Sequence, residues 1–202
     1  MKQSALIIFV RNPVLGKVKS RLAATLGKEK ALEIYKILLA HTHAISKIIS
    51  ADKFIFYDDF INRDDVWEND IYNKLMQEGN SLGERMRNAF KKLFNEGYNR
   101  VIIIGSDCYE LTTDIVTEGY GYLLKNEIVV GPAADGGYYL LGMNNFTPEL
   151  FDNKNWGSRS VYIDTIDQIK KLNYKVALLK VLNDVDVEDD IDLNNEKLKE
   201  LF

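Results

Sequence analysis

Apolar residues gather in short blocks of strand length at 4–10, 53–57, 101–105, 127–131, 138–142 and 174–182, with a weaker block at 71–76. Most of the stretches between them carry apolar positions at helical spacing. In 28–50, Ala31, Leu32, Tyr35, Leu38, Leu39, Thr42, Ile45 and Ile49 recur every three or four residues, which predicts a long amphipathic helix lying on the sheet. Ser81-Leu82-Gly83-Glu84 reads as a capping box opening a second helix, whose stripe of Met86, Phe90, Leu93 and Phe94 ends at Gly97. Further helices are expected at 112–125, at 148–152 with Thr147 as cap and Pro148 at the first position, at 158–171 and at 187–201. Strands alternating with helices predict an α/β protein with a mostly parallel sheet. The acid-rich segment 58–70 reads as a solvated connection.

Composition narrows the class. A chain of 202 residues, 46% hydrophobic and 11% aromatic, builds one well-buried core, so a single domain over 1–202 is expected. A net charge of −4 argues against a nucleic-acid surface, while a local basic cluster can still bind phosphates. The single cysteine, Cys108, excludes an internal disulfide and a cysteine-rich zinc site and fits a reducing, cytoplasmic setting. No apolar run approaches the roughly 20 residues of a membrane span. The partners expected are therefore small molecules, with no nucleic acid and no membrane span; nothing in the sequence specifies an oligomeric state.

In open α/β sheets ligands bind beyond the carboxyl ends of the strands, and three carboxylate-bearing loops lie there: Gly105-Ser106-Asp107-Cys108, Asp135-Gly136-Gly137 and Asp184-Val185-Asp186. The first loop adds Arg11, Lys17, Lys19 and Arg21 within eleven residues, a set able to cradle phosphates, the alternative being a solvated basic turn. Its spacing is not that of a P-loop, which argues against an ATPase. Asp107, placed after a strand and a glycine, can hold Mg²⁺ or Mn²⁺ through hard oxygen contact, with Asp186 as the second ligand and Asp184 on the same face. Asp189 and Asp190 read as acids favoured by a helix start. Asp135 is a ligand or metal contact, with Gly136 and Gly137 letting backbone amides approach a phosphate or sugar; the alternative is a hairpin turn. Arg85 is a further candidate at the start of the second helix. Cys108 reads as a buried thiol, His41 and His43 as structural or exposed, and Trp67 and Trp156 as packing residues, Trp156 with the further option of an aromatic lid.

Five ordered motifs, Phe9–Pro13 with 16–22, then 77–86, 105–108, 135–139 and 184–186, together resemble the rSAM/selenodomain-associated transferase family, often labelled glycosyltransferase, in the nucleotide-diphospho-sugar transferase superfamily. The resemblance spans nearly the whole chain. It implies a GT-A-like three-layer α/β/α sandwich, a nucleotide bound over the first loop, and a divalent metal near Asp107 and the late acidic loop. Nucleotidyl transfer would then place Lys17, Lys19 and Arg21 on the phosphates and a metal on Asp107 and Asp186, with a small phosphorylated or hydroxyl acceptor. Glycosyl transfer from a nucleotide sugar, with Asp135 as acceptor base, and a catalytically silent nucleotide-binding module are the alternatives. The chain departs from the family pattern at Tyr109, where the family places proline.

Overall fold

The structure, a computed structural model, describes residues 2–191. Seven strands form one sheet in the order β3-β2-β1-β4-β6-β5-β7, with β1 at Lys2–Val10, β2 at Asp52–Tyr57, β3 at Tyr72–Met76, β4 at Tyr98–Ile104, β5 at Ile128–Pro132, β6 at Tyr138–Met143 and β7 at Val176–Leu178. Only β6 runs against its neighbours, pairing antiparallel with both β4 and β5. The sheet is mixed and mostly parallel, within a single-domain α/β sandwich of GT-A-like form.

Helices cover both faces because β1 sends alternate apolar side chains each way. Leu6, Ile8 and Val10 join Tyr35 and Leu39 of α2 (Lys28–Lys47) and Ile115 and Val116 of α4 (Thr113–Tyr122). Ala5 and Ile7 join Met86, Phe90 and Leu93 of α3 (Leu82–Asn95) and Ile166 and Ile169 of α5 (Val161–Lys171) on the other face. The α3 cap forms as expected, Ser81 accepting from the Glu84 amide, while the Glu84 carboxylate takes the amide of Asn80 in place of that of Ser81.

Several expectations are corrected. A short helix, α1 (Ser20–Leu26), occupies the end of the first loop and is separated from α2 by Gly27. The expected helix at 148–152 is a 3-10 turn, Pro148–Phe151, and Thr147 makes no side-chain cap to it. The apolar run 174–182 gives only the three-residue β7, after which the chain follows β5 through the amides of Leu179 and Leu182 bonded to the carbonyls of Val130 and Pro132. Segment 58–70 is anchored as well as solvated. Trp67 is buried in the core, and Asp65 accepts from Lys74 and from the Tyr57 hydroxyl. Of the helix expected at 187–201, a 3-10 turn at Glu188–Asp190 is seen, and the part beyond 191 lies outside the described residues.

Candidate functional site

A cleft of about 1030 Å³ opens at the carboxyl ends of β1 and β4 and the start of β6. Parallel strands end here together, so the loops that follow them converge. The loop after β1 is fixed from two sides. Asn12, buried, accepts the amides of Asp59 and Phe60 and donates to the Phe60 carbonyl. Tyr35, on α2, accepts the Arg11 amide at 2.8 Å and donates to the Arg11 carbonyl at 3.1 Å, with Ser106 of the loop after β4 at 3.2 Å. Tyr35, read from the sequence as an ordinary core position, thus joins two of the cleft's loops. Burial and the nearby Asp107 charge push its hydroxyl up, so it stays protonated.

Lys19 stands at the centre. Its backbone is left-handed, at φ 47, and its side chain is only 5% exposed. The ammonium lies 2.7 Å from Asp107 Oδ1 and 2.9 Å from Asp186 Oδ1. Burial opposes its charge, but Asp107 and Asp186 outweigh that and hold its pKa above the usual lysine range. Asp184 feels the opposite balance. Burial, then the charges of Asp107 and Asp135, push its carboxyl up to about 7. The late acidic loop is itself supported by Asp190, whose carboxylate accepts the amides of Asp186 and Val187.

The expected site residues separate into those inside the cleft and those outside it. Arg11, Lys19, Arg21, Arg85, Asp107, Asp135, Gly137 and Asp186 line it. Arg21 is 70% exposed, 3.8 Å from Asp186, and Arg85 donates to the Gly79 carbonyl. Lys17 turns outward to Asp59 at 3.2 Å and is not among the lining residues. Gly136 and Gly137 do not offer their amides to a ligand: that of Gly136 donates to the Ala133 carbonyl and that of Gly137 to Asp135. Gly136 instead serves packing, since at φ 94 an added Cβ would lie 2.1 Å from the Arg159 carbonyl oxygen. Tyr109 is not among the lining residues and packs on His41 in a tilted arrangement, with ring centroids 4.5 Å apart. Cys108 is buried, and burial with the Asp184 charge pushes its thiol up to about 12. Among the lining residues that the sequence-based site lacked are Arg159, and Trp156, read there as packing. A Trp-Gly-Ser-Arg run in a loop was the available signal.

Among the described residues no cluster of three or more His, Cys, Asp or Glu forms a complete metal cage. The donor set nevertheless suits a magnesium-type ion. Such ions are held by one or two carboxylates with substrate phosphates completing the shell, and Asp107 and Asp186 already present two hard oxygens to one cation, the Lys19 ammonium.

The family described as an uncharacterized protein conserved in bacteria (DUF2064) matches residues 41–158. The chain belongs to the DUF2064 family. No curated protein matches this DUF2064 member in sequence. The solved structure of a candidate nucleotide-diphospho-sugar transferase from Desulfovibrio desulfuricans G20 is 32% identical to it, with a TM-score of 0.89, over 98% of this chain and 89% of its own. The 4-diphosphocytidyl-2C-methyl-D-erythritol synthase of Anaerococcus prevotii superposes with a TM-score of 0.60 at 11% identity, covering 98% and 99% of the two chains. A glucosyl-3-phosphoglycerate synthase from Mycobacterium tuberculosis, solved with Mg²⁺ and UDP, gives 0.53 at 12% identity over 90% and 70%. The last two likenesses show the fold that this DUF2064 protein shares with nucleotidyl and glycosyl transferases. Among its described residues no helix is long and apolar enough to cross a membrane.

Proposed function

We propose that this protein is a divalent-metal-dependent nucleotidyltransferase of the rSAM/selenodomain-associated branch, moving a nucleotidyl group from a nucleoside triphosphate to a small phosphorylated or hydroxyl acceptor. The observation that carries the reading is the Lys19 ammonium clasped between Asp107 and Asp186. It joins the basic first loop to two acidic loops, so cationic and anionic groups meet where a polyphosphate and its metal would both be held. In the reaction an acceptor oxygen attacks the α-phosphorus and pyrophosphate leaves, with the phosphorus–oxygen bond to the β-phosphate breaking.

Catalysis of this kind needs positioning and charge neutralisation more than covalent chemistry. Arg11 and Arg21 line the cleft and are exposed, and in this reading they bind phosphate oxygens. Lys19, fixed by its two carboxylates, sets a positive charge where the phosphates approach. Asp107 and Asp186 would hold Mg²⁺ or Mn²⁺, which when bound neutralises polyphosphate charge. Asp135 lines the same cleft, and in this reading it takes the acceptor's proton.

Glycosyl transfer is the second reading, favoured by the structural likeness to glucosyl-3-phosphoglycerate synthase. Metal-dependent glycosyltransferases of this fold usually carry D-x-D, whereas Gly105 and Tyr109 flank Asp107 at the two relevant positions, and Tyr109 is not among the cleft-lining residues. A pyrophosphate-release assay over a panel of sugar phosphates and four triphosphates separates the readings. Metal-dependent pyrophosphate release is expected; nucleoside diphosphate release from nucleotide sugars, without pyrophosphate release from any triphosphate, would replace the proposal with glycosyl transfer.

A further inference from the structure

The segment between the 3-10 turn and α5 contributes Trp156, Ser158 and Arg159 to the cleft lining, Trp156 on the core cluster of the sheet face that carries α3 and α5. Two close approaches fix the Trp156 ring and the Arg159 backbone. The Trp156 indole lies over the first turn of α3, where a Cβ on Gly83 would come within 2.2 Å of its Nε1. The Arg159 carbonyl sits against Gly136, and the Gly136 carbonyl in turn accepts the Tyr162 amide at the start of α5. This loop is therefore seated on two other elements, with Arg159 exposed.

The floor between them is apolar. Met86 and Tyr138 line it, the Tyr138 hydroxyl donating to Met86 Sδ at 3.8 Å, and Trp156 packs against the same core cluster. Five carboxylates line the cleft, Asp58, Asp107, Asp135, Asp184 and Asp186; Asp107 and Asp186 pair with Lys19, and none of the five forms an ion pair with Arg159. An arginine beside an aromatic face suits a ligand with an oxyanion at one end and a ring or polyol at the other, because the guanidinium fork binds phosphate or carboxylate through two parallel bonds and the indole covers a flat apolar face.

We infer that Trp156 and Arg159 form the acceptor subsite, and that the acceptor is a sugar-sized molecule bearing a phosphate or carboxylate, with the anion on Arg159 and the body of the molecule on Trp156. This rests on the transferase reading above, in which the nucleotide lies over the first loop. Arg11, Lys19 and Arg21 of the first loop then serve the nucleotide, and Arg159 serves the acceptor.

The chain has two tryptophans, and Trp67 is buried in the core cluster on the other face of the sheet from Trp156, so a fluorescence change on binding in the cleft reports on Trp156. Full-length protein is titrated with glucose 6-phosphate, gluconate and glucose, at saturating Mg²⁺ with the best-binding triphosphate, and triphosphate affinity is measured separately by calorimetry. A fluorescence change with either anionic probe and none with glucose is expected, and the two anionic probes distinguish phosphate from carboxylate. Arg159→Gln is expected to weaken that probe about 10- to 100-fold and to leave triphosphate affinity unchanged; Trp156→Phe is expected to remove the fluorescence change while the protein still binds the triphosphate. Triphosphate binding that falls in Arg159→Gln, or wild-type protein that binds triphosphate but neither anionic probe, would overturn the assignment. Absence of triphosphate binding in the wild type, with probe binding retained, would count against the nucleotidyl reading and leave the anion subsite standing.

Discussion

The amide of Val185 donates to the carbonyl of Asp107 at 2.9 Å. That backbone bond ties the late acidic loop to the loop after β4, so Asp107 and Asp186 stand together although 79 positions separate them. Lys19 then inserts between them, and the cleft's charge is set by three loops acting as one unit.

Replacing Lys19 tests that unit. Lys19→Met leaves two facing carboxylates, each close to half exposed, and because water screens them the loss is expected at about 1–3 kcal/mol, less than for a fully buried pair. Urea unfolding should show a lower midpoint, with part of the loss restored by millimolar Mg²⁺.

Asp107→Asn removes a hard oxygen donor while keeping side-chain size. Calorimetric titration with a triphosphate, with and without Mg²⁺, should show that the variant's affinity equals the metal-free value of the wild type. Unchanged metal dependence would refute the ligand assignment.

Tyr35→Phe deletes the hydroxyl that both accepts and donates at Arg11. The unmet backbone groups should cost about 1–3 kcal/mol. Because the first loop loses its anchor to α2, triphosphate affinity should fall too, and a denaturation curve beside a binding isotherm checks both.

Gly136→Ala separates a packing role from a ligand contact. The positive φ and the clash with the Arg159 carbonyl should destabilise the fold by about 3 kcal/mol. A glycine that only gave a ligand room would lower affinity without moving the melting temperature.

Cys108 provides the pH test. Its pKa is raised in the folded state, so its contribution to stability is complete below the ordinary thiol value near 9 and declines as pH rises from there towards 12. At pH 8 iodoacetamide should leave the native thiol unmodified and label it in urea, since the thiolate is the nucleophile.

Much of this was legible in the residue pattern because the relevant signals are local. The α3 cap is a four-residue motif, and Asp107 follows an uninterrupted apolar run that had to be a strand. What the pattern concealed depends on distant partners. Helix α1 is too short to show periodicity. Trp67 lies in an acid-rich stretch and is buried by contacts that the stretch itself does not reveal. Lys17 and Lys19 are indistinguishable by composition, yet the chain turns one out to Asp59 and the other in to Asp107 and Asp186. Gly136 and Gly137 matched equally a ligand-facing backbone and a tight turn, and the turn prevailed because their amides bond within the loop and Arg159 packs against the first of them.

The most direct measurement is calorimetric titration of the wild-type protein with each of the four ribonucleoside triphosphates at saturating Mg²⁺ and again after chelation. Saturable binding of at least one triphosphate that disappears with chelation is the predicted result. Triphosphate binding that ignores the metal, or no triphosphate binding beside clear nucleotide-sugar binding, would contradict it.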